Sequence, residues 1–232
     1  MQTVEFHQGI MAQAKKNNTR DIISSESSTA SRFAYRAIKR AFDLVGAGLI
    51  LLILSPVFLF VGLLVKLTSP GSVFYPWHVI GRDGRPFCGY KFRTMVQNAD
   101  DLKAQLIHQN EMNGPVFKIK KDPRITPVGK ILRKYSIDEL PQLWSVLKGD
   151  MSLVGPRPAF AAEYERYDDW QRRRLSVTPG ITCLWQVNGR NQIKDFDEWV
   201  RLDLEYIDNW SLWLDMQILW RTLIVVVRGT GM

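Results

Sequence analysis

Two adjacent carboxylates, Asp138 and Glu139, lie in the run LRKYSIDELPQLWSVLKGDMSLVGPRP, residues 132–158, and bases crowd around them in sequence: Lys91, Arg93, Lys118, Lys120, Lys121, Arg124, Lys130, Arg133, Lys134 and Arg157. A solvated helix entrance needs far fewer cations. Ammonium and guanidinium groups gathered at a helix start suit phosphate. Acids set into such a site either hold a divalent cation against phosphate oxygens or attack phosphorus themselves. An aspartate, with a reference pKa of about 3.9, is ionised at neutral pH and needs no base to become a nucleophile. The pattern points to phosphoryl chemistry on an anionic substrate, although each base taken alone reads equally as an exposed surface charge.

Local structure offers the acids a second explanation. The spacing of Leu140, Leu143, Trp144 and Leu147 predicts a helix over 139–147. Ser136 and Glu139 have capping-box spacing, in which serine and glutamate bond each other's backbone N–H groups. Alternatively Asp138 is the N-cap, which puts Pro141 in the first turn, where its missing N–H does no harm. The second arrangement suits Pro141 better, and from spacing alone a simple cap outweighs catalysis.

Residues 69–232 supply a domain of ordinary size to hold these groups. After the breaker Thr68-Ser69-Pro70-Gly71, the segment SVFYPWHVIGRDGRPFCGYKFRTM predicts two short strands turning at Asp83-Gly84. Helical spacing recurs over 98–108, 161–175, 196–209 and 212–227. The expected fold class is α+β, mainly helical, with a small β-hairpin. In the last segment Asp215, Gln217 and Arg221 interrupt the apolar run, so it predicts an amphipathic helix, either in the core or at a lipid interface with Trp210, Trp213 and Trp220 at headgroup level.

Ahead of this domain, LVGAGLILLILSPVFLFVGLLV, residues 44–65, is apolar enough for lipid. Pro56 has no N–H for Leu52 one turn back, and the Ser55 hydroxyl can serve the freed carbonyl. A kinked spanning helix and a re-entrant hairpin both satisfy this sequence. Basic residues on both flanks, Arg36, Lys39 and Arg40 before and Lys66, Arg82 and Arg85 after, lean toward re-entry, because positive charge marks the cytoplasmic side. The position and length of the run argue against a cleaved signal peptide. Residues 1–31 read as a mobile polar tail, and residues 32–68 as an interfacial lead-in followed by the membrane helix.

The net charge of +8 fits nucleic acid, or an anionic membrane surface with phosphate-bearing substrates. The apolar segment favours the membrane, and no nucleic-acid-binding motif accompanies the charge. Cys88 and Cys183 stand far apart without metal-ligand spacing, which suggests a reducing compartment and no zinc site.

Five motifs in order, Ser55-Pro56, YKFRTM (90–95), NGPVFKIKKDPRIT (113–126), the acidic run above and PGITCLWQVNGRN (179–191), resemble the small monotopic phosphoglycosyl transferases, or bacterial sugar transferases. The resemblance begins near Lys39 and runs to the C-terminus. It implies one re-entrant, proline-kinked helix at the bacterial inner membrane with the catalytic domain on the cytoplasmic face. It implies transfer of a hexose 1-phosphate from a UDP-sugar to a polyprenyl phosphate such as undecaprenyl phosphate, starting assembly of a membrane-linked glycan. Asp138 matches the nucleophile and Glu139 the acid that holds Mg2+ beside it, while Lys91, Arg93, Arg133, Arg157 and Arg190 match positions assigned to phosphates. Two departures stand out: Trp77 and Val79 replace a glutamine and an arginine ahead of the hairpin turn, and Cys183 replaces a glycine. The resemblance also implies a minimal form, without the extra N-terminal helices of larger relatives. The competing reading is a non-enzymatic, membrane-anchored adaptor for anionic lipid, in which the acids only cap a helix.

Overall fold

A computed structural model describes the backbone over residues 2–189 and 192–229 and the side chains from Tyr35 onward within those limits. Of the tail expected over 1–31, the backbone of residues 2–31 is described, as part of the first helix, but not its side chains; Arg190, and with it the expected phosphate role, lies outside the described residues. The chain divides into two units, Met1–Phe42 and Asp43–Met232. In chain order the elements are α1 (Gln2–Thr68), β1 (Phe74–Ile80), β2 (Pro86–Phe92), α2 (Ala99–Lys103), α3 (Pro127–Lys134), α4 (Leu143–Lys148), β3 (Ser152–Val154), α5 (Ala161–Tyr164), α6 (Asp169–Arg172), β4 (Gly180–Thr182), α7 (Leu184–Val187), α8 (Phe196–Asp208) and α9 (Leu212–Arg228).

The apolar part of α1 is long enough to cross a membrane, and only 11% of its most apolar window is buried, which excludes an ordinary core helix. Helical structure continues through Pro56. The Ser55 hydroxyl donates to Leu52 O at 2.9 Å, serving the carbonyl that the proline leaves without an N–H. Within Asp43–Met232, both ends of this stretch are fastened to the globular body. Buried Asp43 accepts from Ser152 Oγ and Leu153 N of β3, each at 3.0 Å. At the other end Val61 and Val65 pack with Phe92 of β2 and Leu132 of α3.

β1 and β2 form the expected antiparallel hairpin, with Trp77 opposite Gly89 and Ile80 opposite Pro86. Its turn puts Asp83 and Gly84 at φ 56 and φ 75, conformations that aspartate tolerates and glycine prefers. A second, parallel pair, with no forewarning in the residue pattern, joins β3 to β4. A Cβ on Gly180 would lie 2.1 Å from Gly155 N, so the two chains meet only because both residues are glycines. That contact joins the VGPRP and PGIT motifs and thereby positions Arg157.

The helix expected over 161–175 forms as α5, α6 and a 3-10 turn, Arg173–Leu175. Asp168 breaks it: the residue is extended, and its N–H is taken by Gln171 Oε1 at 2.9 Å, which starts α6 afresh. The main core gathers Trp185, Phe196, Trp199, Tyr167, Leu175 and Val200, among others. α9 is amphipathic as expected. Asp215 is fully buried and accepts from Tyr206 Oη at 2.8 Å and Trp210 Nε1 at 3.3 Å, whereas Trp213 and Trp220 are 71% and 67% exposed.

Candidate active site

Asp138 and Glu139 occupy a 3-10 turn, Ile137–Gln142, that follows α3. Ser136 turns the chain between the two at φ 54 and ψ 22, a left-handed conformation costing about 1 kcal/mol for a residue with a Cβ. Neither expected cap forms. Ser136 makes no side-chain cap bond, and α4 begins only at Leu143 with Gln142 at its N-cap. The left-handed residue makes the reversal that a cap would have made, so a tight turn and not a helix entrance presents the acids.

This turn packs on β2, where Lys91 Nζ lies 2.8 Å from Glu139 Oε1. Thr94 brings α3 to the same place. Thr126, the N-cap of α3, donates its N–H to Thr94 O at 3.0 Å. Gly129 leaves room for that carbonyl, since a Cβ there would lie 2.1 Å from it, and Arg133 Nε donates to Thr94 Oγ1 at 2.9 Å. A backbone bond thus joins the KFRTM motif to the end of NGPVFKIKKDPRIT, and a side-chain bond joins it to LRKYS.

A cleft of about 410 Å³ opens over the turn, and Lys91, Arg93, Arg133, Arg157, Asp138 and Glu139 all line it. Four of the five predicted bases are therefore brought to the predicted acids. Asp138 is buried, with only 7% of its surface exposed. Burial lowers the Arg133 guanidinium from its ordinary value, and the charges of Asp138, Asp122 and Glu139 oppose the shift. Arg93 is differently engaged: it donates to Ser69 O at 2.7 Å and to Pro70 O, bracing the loop that leaves α1. Gly71 accommodates this brace, because at φ 110 it lies so close that a Cβ would fall 2.1 Å from Arg93 Nη1.

Two further features of the cleft escaped the sequence reading. Arg124 grips Asp122 through Nε at 2.9 Å and Nη2 at 2.6 Å and reaches Ala99 O at 3.0 Å. Burial pushes the Asp122 carboxyl up, but these bonds outweigh it and hold the group below its ordinary value. The Asp-x-Arg spacing in KKDPRIT was the available signal. The other feature is an aromatic wall of Trp77, Phe117, Phe160, Trp185 and Trp199. Trp185 and Trp199 stack with centroids 4.0 Å apart and planes at 5°, and at 2% exposure each they form the packed base of this wall.

Among the described residues no group of three or more His, Cys, Asp or Glu side chains is arranged to hold a metal. Asp138 and Glu139 form a smaller donor set. It suits Mg2+, which is commonly held by one or two carboxylates together with substrate phosphates and water.

Residues 34–229 match the bacterial sugar transferase family. The chain belongs to that family. It is 49% identical over 200 residues to the galactosyl transferase CpsE of Streptococcus agalactiae, covering 86% of this chain and 44% of that protein. It is 46% identical over 205 residues to the undecaprenyl-phosphate galactose phosphotransferase of Salmonella typhimurium, covering 84% and 42%. The UDP-glucose:undecaprenyl-phosphate glucose-1-phosphate transferase of Escherichia coli is 42% identical over 195 residues, covering 81% and 40%. The chain spans less than half the length of each of these three relatives.

This sugar transferase family member departs from the common pattern in ways the structure accounts for. Trp77 and Val79 point inward, 3% and 2% exposed, as alternate residues of β1 should when one face is covered. Cys183 lies in the core behind the aromatic wall, where burial raises its thiol well above the ordinary value. It is unsuited to nucleophilic chemistry there.

Proposed function

We propose that this chain transfers a hexose 1-phosphate from a UDP-sugar to a polyprenyl phosphate and so starts the assembly of a membrane-linked glycan. The observation that carries this reading is the Asp138-Glu139 turn, which faces a cleft lined by Lys91, Arg133 and Arg157. The names of the relatives support the same reaction class. An Asp138 carboxylate oxygen attacks the β-phosphorus of the donor. The bond from that phosphorus to the bridging oxygen breaks, and UMP leaves with the oxygen and its electron pair. An oxygen of the polyprenyl phosphate then attacks the aspartyl phosphosugar, freeing the carboxylate and forming the diphosphate-linked sugar. Lys91, Arg133 and Arg157 offset the charge spread over the phosphoryl oxygens and hold them in line. Release of UMP from a panel of UDP-sugars, measured with undecaprenyl phosphate and Mg2+ present, tests the reaction and names the donor. Absence of UMP from the whole panel would refute it.

Glu139, with Asp138 beside it, is the residue to hold Mg2+, which when bound offsets the charge of the diphosphate. Glu139→Gln should weaken Mg2+ affinity, raising the concentration needed for half-maximal rate, and lower kcat together, by at least about tenfold. Titration of the initial rate with Mg2+ checks this, and full turnover in excess chelator would remove the ion from the mechanism.

The fastening of the apolar stretch of α1 at Asp43 and at Val61/Val65 supports a re-entrant membrane segment. Asp43 and Val61/Val65 meet the same globular body, whereas the ends of a span lie on opposite sides of a hydrocarbon core about 30 Å thick. The exposed Trp213 and Trp220 of α9 suit contact with an anionic lipid interface on the cytoplasmic face of the inner membrane. Cysteines introduced at Ala37 and Ser72, both exposed, should be labelled only when cells are opened. Labelling of one of them in intact cells would make α1 a spanning helix. Gly71 is a poor site for such a probe, because its Cβ would strike Arg93.

A further inference from the structure

Lys91 has a second partner besides Glu139: its Nζ lies 4.1 Å from the centroid of the Trp77 ring. The hairpin register produces this contact. Trp77 faces Gly89, and Lys91 is two residues along β2 on the same face, the diagonal position that a long side chain reaches across a ladder. The indole is 3% exposed and its ring meets Phe160 edge-on at 6.0 Å and 76°, so it is fixed from behind. The ammonium is thus held between an aromatic face and a carboxylate, in a side chain only 17% exposed, where attraction between a cation and a ring is stronger than at an open surface.

We propose that Trp77 is a positioning residue that keeps the Lys91 ammonium in the cleft when Glu139 gives it up to the donor diphosphate. The proposal rests on reading the cleft as a diphosphate site. When Glu139 also holds the counter-charge of the bound diphosphate, its hold on Lys91 weakens, because one carboxylate charge is then shared between two cations. A lysine whose only partner was Glu139 would either occupy that carboxylate or swing to solvent on its flexible four-carbon stem. An aromatic face attracts the cation through its quadrupole and adds no negative charge to repel phosphate. A glutamine at this position, as in the common family pattern, would instead supply a directional polar contact.

The affinity for UDP, measured by titration calorimetry, tests this in a double-mutant cycle. Trp77→Leu should raise Kd about tenfold, and Trp77→Phe, which keeps a ring, about threefold or less. In a Lys91→Met background the Leu change should cost less than about twofold. Equal losses in both backgrounds would make Trp77 a packing residue and overturn the proposal. Acylation of Lys91 by an amine-reactive ester, followed by peptide mass spectrometry on the uncomplexed protein, should speed up severalfold in Trp77→Leu and hardly at all in Trp77→Phe. Unchanged reactivity in the Leu variant would equally overturn it. If Trp77→Leu does not fold, Trp77→Met, which also lacks a ring, carries the acylation test with the same severalfold rise expected, and unchanged reactivity in it would overturn the proposal. Because acylation requires no turnover, a failure of the transferase reading leaves this result separately readable.

Discussion

Asp138→Asn should lower turnover by at least about 10³-fold while leaving the protein folded and in the membrane. The substitution is isosteric: it removes the nucleophilic charge and exchanges one carboxylate oxygen for an NH2 group. The structure makes the test cleaner than the sequence promised. Asp138 caps no helix, since α4 starts at Leu143 with Gln142 at its N-cap, so no cap is lost with the acid. Incubated with UDP-sugar and no polyprenyl phosphate, the native enzyme should release UMP in at most stoichiometric amount and gain the mass of one hexose phosphate on Asp138, followed by two-step kinetics when acceptor is added. The Asn variant should show neither adduct nor turnover. An active Asn variant would rule out the covalent route and leave only direct transfer between the two substrates.

Arg174→Met should destabilise the domain by about 3–5 kcal/mol. For a chain of this size that is a fall in Tm on the order of 10 °C. Arg174 and Asp203 are 2% and 0% exposed, with Nε at 2.8 Å and Nη2 at 2.6 Å from the same oxygen, Oδ2. Arg174 Nη1 also donates to Tyr167 Oη at 3.1 Å, and the guanidinium lies 5.5 Å from the Phe196 centroid. Removing the cation strands a carboxylate in the core behind the Trp185–Trp199 wall. A double replacement, Arg174→Met with Asp203→Leu, should recover most of the loss, because it is the unpaired charge and not the missing bond that is costly. Thermal unfolding in detergent of the native protein, the single and the double variant measures both effects. A single variant as stable as the native protein would show that the carboxylate finds water or another partner.

Some of this molecule was readable without coordinates because the causes are local. Asp83-Gly84 favours a turn wherever it stands, and alternation around it yields the hairpin. Residues 44–65 are apolar whatever surrounds them, and Ser55 is placed to serve Leu52 O by helical spacing alone. Charge density along the chain marked the neighbourhood of the acids, and the family motifs singled out four bases that the fold does bring to one cleft with them.

What the tertiary structure decided depends on partners distant in sequence. The helix start predicted at the acids became a tight turn, because the left-handed Ser136 and the packing of that turn on β2 override a local capping preference worth about 1 kcal/mol. The β3–β4 pair could not be foreseen, since three-residue strands carry no period and their pairing rests on two glycines, Gly155 and Gly180, meeting across the fold. Arg93 matched a phosphate position in sequence, yet its guanidinium holds Ser69 and Pro70, a use set by where α1 ends relative to β2. Asp215 interrupted an apolar run in the sequence, which left a core position and an interfacial one both open, and the fold decides for burial by bringing Tyr206 and Trp210 to it. In each case sequence named the chemical group, but solvation and pairing energies depend on neighbours that only the folded chain supplies.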